Sequence, residues 1–176
     1  YVRALPCGVW YGPVTFTTLP PDNQVITAED VTKVYGDIPF IQGTSDSGLA
    51  LSYAVEDETV AVVENGKLVI KGVGTTTVTA SQPGNNVYLP AEDVTFTLTV
   101  TKAMLTVTAD SSQEKRYGTE DPVFTYTATG FKYTDTLAVF SGALARVAGE
   151  EMGMYAITQG TLSGGRNYEI TFISAD

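Results

Sequence analysis

The sequence predicts an all-β chain, mainly antiparallel, on three observations. Residues 95–101 read Thr-Phe-Thr-Leu-Thr-Val-Thr without a break, which puts Phe96, Leu98 and Val100 on one face and the threonines on the other. Asn65-Gly66 separates two apolar runs, 60–64 and 67–71, and is a strong two-residue hairpin signal because both turn residues tolerate positive φ. The composition leans toward Thr, Val, Tyr and Gly, the palette of twisted sheet, and only one short stretch has any helical character.

The elements follow in chain order. Tyr1, Arg3 and Leu5, then Val14, Phe16 and Thr18, flank the turn formers Pro6, Gly8, Gly12 and Pro13, which predicts a hairpin over 1–18. Leu19-Pro20-Pro21-Asp22-Asn23 reads as a linker, since tandem prolines stiffen the chain and block sheet pairing. A second segment, 24–102, carries strands at 51–55, 60–64, 67–71, 75–81 and 95–101. A third, 103–176, carries strands at 105–109, 123–129, 144–147, 155–158 and 168–173, with one capped helical turn where Asp135 precedes 136–140.

The two larger segments echo each other. Tyr35-Gly36 recurs as Tyr117-Gly118 (117 − 35 = 82), Gly48 recurs as Gly130 (130 − 48 = 82), and Thr27-Ala28 reappears as Thr108-Ala109. A repeat at that period predicts stacked modules, and 176 residues suit two bodies of roughly 80 residues with an extra piece in front. Only Thr101-Lys102-Ala103 lies between them, so the junction is expected to be stiff and the whole a semi-rigid rod. The chain opens inside a strand-like run, with no charged start and apolar h-region, which is the expectation for a piece of a longer protein without a signal peptide.

Charge and residue inventory narrow the function. A net charge of −10 repels phosphate backbones and anionic bilayers, so neither nucleic acid nor an acidic membrane is an expected partner. No run approaches the roughly 20 apolar residues of a membrane helix. Histidine is absent, which removes the commonest general base and zinc ligand, and the single Cys7 is read as a small buried residue. No catalytic residue, metal site or cofactor is expected. The pairs Asp57-Glu58 and Glu120-Asp121 sit in turn-like segments and read as solvated, while Asp22, Asp30 and Asp110 are candidates for a weak ion between modules. Gly72-Val73-Gly74 leads into a threonine strand rather than a helix, so it reads as a turn and not a phosphate loop, as does 163–167. Tyr35-Gly36 and Tyr117-Gly118 read as aromatic plugs beside backbone bends. Trp10 and Tyr11, at the tip of the first hairpin, are the candidate ligand contacts, because a flat aromatic pair stacks on sugar rings.

Several ordered blocks resemble known families. Tyr35-Gly36-Asp37, Ser47-Gly48-Leu49, Val60-Ala61-Val62-Val63 and the stretch Ile70 through Ala80 are similar to bacterial Ig-like domains, which implies a β-sandwich over about 24–102. Tyr117-Gly118, Asp121-Pro122-Val123-Phe124, Phe140-Ser141-Gly142, Gly153-Met154-Tyr155, Gly160-Thr161-Leu162 and Asn167-Tyr168-Glu169-Ile170 resemble an MBG domain of the YGX type over 103–176. That resemblance implies a small, β-grasp-like module that occurs in tandem on bacterial surface proteins; one more strand usually follows the position of Ala175-Asp176 in that family, so the module over 103–176 is expected to lack its last strand. The opening Tyr1-Val2-Arg3-Ala4 and 11–18 resemble the last hairpin of a fibronectin type III domain, so 1–23 reads as that hairpin plus linker.

These readings lead to a non-catalytic segment of a modular bacterial cell-surface or secreted protein, extracellular, acting as stalk, spacer or adhesion module. The alternative is a carbohydrate-binding module carried on a surface glycan-processing protein. The expected partner is a protein or glycan at the cell surface, and open sheet edges allow self-association.

Overall fold

A computed structural model describes residues 19–175, and within them the chain is all-β with mostly antiparallel pairing. Its strands are β1 (Ile26–Thr27), β2 (Val31–Val34), β3 (Thr44–Ser45), β4 (Ser52–Val55), β5 (Ala61–Glu64), β6 (Lys67–Ile70), β7 (Gly74–Ser81) and β8 (Val94–Thr101). After these come β9 (Ala103–Ala109), β10 (Tyr126–Thr129), β11 (Ala145–Arg146), β12 (Ile157–Thr158) and β13 (Tyr168–Ile173). The hairpin expected over 1–18, and with it Cys7, Trp10 and Tyr11, lies outside the described residues.

In the first half, β2, β8, β7 and β4 form one sheet in that order. The strand β8 is gripped on both sides: parallel by β2, with Val31 opposite Leu98, and antiparallel by β7, with Val78 opposite Phe96. Alternation along β8 does what the sequence predicts, burying Phe96, Leu98 and Val100. The β5–β6 hairpin supplies the facing layer through Ala61, Leu68 and Ile70. Leu68 and Ile70, withdrawn from water, contribute about 1.5–3 kcal/mol each. Asn65 and Gly66 close the hairpin at φ 52° and 71°, the left-handed pair that its two-residue turn demands.

In the second half, β9 is the central strand, antiparallel to β10 and parallel to β13. The 82-residue spacing is also a structural register. Ile26 and Thr27 of β1 face Ser45 and Thr44 of β3, and 82 positions later Thr108 and Ala109 of β9 face Thr127 and Tyr126 of β10. Both halves therefore open with the same antiparallel pair.

Several boundaries differ from expectation. Pairing over 123–129 begins only at Tyr126, because its partner β9 ends at Ala109, and Val123 stays 89% exposed. The strands expected at 144–147 and 155–158 shrink to the two-residue pair β11–β12. The expected helical turn is a single 3-10 turn, Leu137–Val139, capped by the Thr136 hydroxyl and not by Asp135. The linker is not free of pairing: Asp22 bridges Tyr88, with its N–H donating to Val87 O at 2.7 Å. Proline blocks pairing only at its own nitrogen, and Asp22 lies just beyond Pro21.

The two halves exchange no strands, but their interiors touch. Successive inward residues of β9 run from one apolar cluster to the next. Ala103 and Leu105 join Leu98, Ile70 and Tyr35, whereas Val107 and Ala109 join Leu144, Ile157 and Leu162.

Candidate functional site

The most elaborate polar arrangement lies where β8 passes into β9, with Lys102 alone between them. Tyr35 follows β2 directly, and its N–H donates to Thr101 O at 2.9 Å, which fixes it beside the exit of β8. From there its ring reaches into the second half. It meets Tyr133 edge-on at 5.3 Å and Tyr168, the first residue of β13, edge-on at 5.4 Å. Edge-to-face geometry sets the positive rim of one ring against the negative face of another. The Tyr35 hydroxyl donates to Asp135 Oδ2 at 3.1 Å, and the Tyr168 hydroxyl donates to the same oxygen at 2.7 Å.

Further contacts close the ring. Tyr133 donates to Ile70 O at 3.0 Å, and Lys132 N–H donates to the Tyr168 hydroxyl at 2.8 Å. On the other flank, Val73 N–H donates to Asn167 Oδ1 at 3.1 Å while Arg166 Nε donates to Val73 O at 2.8 Å. Tyr133 holds φ 51°, an unfavourable backbone for a bulky residue. Its ring contact and its bond to Ile70 fix it there. Gly36, at φ 97°, is required: a Cβ in its place would strike the Lys132 side chain.

This set is built to hold and not to react. Burial, reinforced by the Asp135 carboxylate, pushes the Tyr35 and Tyr168 hydroxyls up from their ordinary value of 10.0. Burial raises Tyr133 as well. All three remain protonated at neutral pH, so they act as hydrogen-bond donors and not as bases.

A second cluster lies within the second half. Arg146 Nε meets Asp121 at 2.8 Å and its NH2 group meets Glu150 at 2.9 Å, while Lys115 Nζ reaches Glu150 at 2.9 Å and Asp121 at 3.2 Å. Hydrogen bonding from Arg146 holds the Asp121 carboxyl below its usual range, and that from Lys115 does the same for Glu150. Four charges thus cancel in pairs. Asp121, expected to be merely solvated, is part of this lattice, while Asp57 accepts from Thr59 N–H within its own turn.

The three aspartates considered from the sequence for a weak ion between modules have separate partners. Asp30 accepts from Thr97 N–H midway along β8, Asp22 is tied to Tyr88 and Asp110 to Thr125, each at a different place. The junction carboxylate is Asp135. Among the described residues no group of three or more His, Cys, Asp or Glu side chains is poised to hold a metal. Tyr35 is a buried plug as expected, but Tyr117 is 78% exposed and is not. The turns 72–74 and 163–167, read from sequence as simple bends, supply Val73, Arg166 and Asn167 to the junction.

No curated protein matches the chain. The match to a known family does not extend to the Ig-like and fibronectin type III resemblances of the earlier residues. Residues 105–176, the part that opens with Leu105 on β9 and contains the Tyr133–Asp135–Tyr168 side of the junction, match the family described as MBG domain (YGX type), a non-catalytic kind of module found in modular bacterial surface proteins.

Proposed function

We propose that this chain is a stalk or spacer segment of a modular bacterial surface protein, transmitting shape and reach rather than performing chemistry. In this reading residues 24–102 form an Ig-like module, residues 103–176 form the MBG module, and the junction between them is the working part. The observation that carries it is the shared carboxylate: Asp135 of the second half accepts from Tyr35 of the first and from Tyr168, directly over the one-residue connection. A one-residue connection limits bending, and the aromatic ring set resists rotation because turning either half would break several contacts at once. A tether that needed only proximity would require neither feature.

Small-angle scattering tests this directly. The unaltered chain is expected to give a single narrow elongated profile, and Gly36→Val, which drives a side chain into Lys132, a broadened distribution of maximum dimensions. Equal breadth for both proteins would overturn the spacer reading. So would glycan-array binding that disappears in Trp10→Ala, which would instead make the chain a carbohydrate-binding module.

A further inference from the structure

The repeat also exposes a second corner built like the junction. In the second half, Ala103 N–H donates to Asn167 O at 3.0 Å, and Ala103 lies opposite Tyr168 in a parallel pairing. In the first half, Asp22 N–H donates to Val87 O at 2.7 Å, and Asp22 lies opposite Tyr88 in a parallel bridge. The partners are 81 and 80 positions apart (103 − 22 and 168 − 88), and Gly84-Asn85-Asn86-Val87-Tyr88 is answered by Gly164-Gly165-Arg166-Asn167-Tyr168. What differs is the cover. Ala103 and Tyr168 are buried against the first half, and Asn167 and Arg166 bond to Val73. Around Asp22 the described residues supply no such cover: Val87 is 56% and Leu89 43% exposed, and Leu19 and Val25 are more exposed still.

We propose that this corner is the seat of residues 1–18 of the same chain, which dock on Val87 and Leu89 through Val14 and Phe16. The corner's own polar groups are already engaged. Asn85 Oδ1 accepts from the Val87 and Tyr88 N–H groups, and the buried Gln24 donates from Nε2 to Leu89 O at 2.7 Å. What remains uncommitted is apolar, so it favours an apolar occupant. Residues 1–18 fit that chemistry: Tyr1, Leu5, Val14 and Phe16 recur along them, and Arg3 is their only charge. The chain also delivers them to the place. Asp22 is pinned between Val87 and Leu89, and Leu19 lies three residues before it. At about 3.6 Å per residue, Phe16 stays within about 11 Å of Leu19 and Val14 within about 18 Å. So short a tether gives residues 1–18 an effective concentration in the millimolar range, which a second copy does not match. Order along the chain agrees: the segment just before Ala103 covers its corner, and the segment just before Asp22 is 1–18.

Nuclear Overhauser contacts in the full chain test this. Cross-peaks are expected from the Phe16 ring and the Val14 methyls to the methyls of Val87 and Leu89. Replacing both seat residues, Val87→Ser with Leu89→Ser, should speed amide exchange over residues 14–18 about tenfold while β7 and β8 keep their rates. Both side chains already stand largely in water, so the fold is expected to hold. Phe16→Ser, on the other partner, should give the same release and leaves residues 19–175 unaltered. Absence of the cross-peaks, cross-peaks from Phe16 to another surface instead, or unchanged exchange in the variants overturns the proposal. Contacts that appear only between differently isotope-labelled copies would make a second copy the occupant and overturn it too. None of this rests on the spacer reading: the scattering test perturbs Gly36 beside Tyr35, whereas these variants leave the Tyr35–Asp135–Tyr168 set intact, so each fails on its own.

Discussion

Asp135 shows what one residue contributes to this molecule. It lies 100 positions from Tyr35 and 33 from Tyr168, and both hydroxyls converge on its Oδ2. A hydrogen bond to a charged partner adds about 1.5–3 kcal/mol, so Asp135→Ala is expected to lower stability by roughly that amount. The pH response gives the sign independently. Burial and the neighbouring carboxylate raise the folded pKa of Tyr35 and Tyr168 above 10.0. A raised folded pKa means that the unfolded chain releases these protons first. Their contribution is therefore complete below about pH 10 and is lost as pH rises toward the folded values. Urea midpoints measured across that range should fall on the alkaline side, and fall less steeply in Asp135→Ala, which lacks part of the cause. A parallel slope in both proteins would mean that the carboxylate does not govern these hydroxyls. None of this was legible locally: a Tyr-Gly pair announces a plug beside a bend, but nothing near residue 35 identifies an acceptor 100 residues on.

At the level of elements, sequence reading succeeded where the structure is self-contained. The β5–β6 hairpin needs only its own turn, with Asn65 and Gly66 at positive φ. No Cβ contact threatens at Gly66, so substitution there costs only conformational strain. Gly66→Val should destabilise by about 1–2 kcal/mol, read as a shift in denaturant midpoint at unchanged slope. A loss several times larger would mean that the turn also packs against something. Strand β8 was equally legible, because its alternation is strict and β7 pairs with it along nearly its whole length. Reading failed where a partner sets the limit. Val123 has strand propensity, yet β9 stops at Ala109 and leaves it nothing to pair with. The helical turn was expected to begin with a cap at Asp135, but two tyrosine hydroxyls claim that carboxylate, and Thr136 caps Leu137–Val139 instead. Propensity describes what a residue can do; competition among distant partners decides what it does.

At the level of the whole molecule, the arrangement turns on β9. It is the first strand of the second half by order, yet its buried residues serve two interiors in turn. Leu105 belongs with Leu98, Ile70 and Tyr35, whereas Val107, two residues on and on the same face, belongs with Leu144 and Ile157. Mechanical continuity along the chain is therefore not limited to the peptide bond at Lys102, because the first interior extends a full two inward positions beyond it. Replacing either residue by Ala removes buried methyl groups and leaves a void: Leu→Ala costs about 2–5 kcal/mol and Val→Ala somewhat less. The distribution of the loss distinguishes the two. Leu105→Ala should speed hydrogen exchange in β8 and β7 as well as in β13, since its cavity opens on the shared interior. Val107→Ala should speed exchange around β11, β12 and β10 and leave β7 and β8 at their original rates. If Leu105→Ala left β7 and β8 untouched, the interior would be divided at Lys102, and a stiff joint would have to rest on the surface contacts of Tyr133, Arg166 and Asn167 alone. If both variants loosened every strand equally, the two halves would unfold as one unit, and the repeat in their register would record how the chain is built without dividing how it melts.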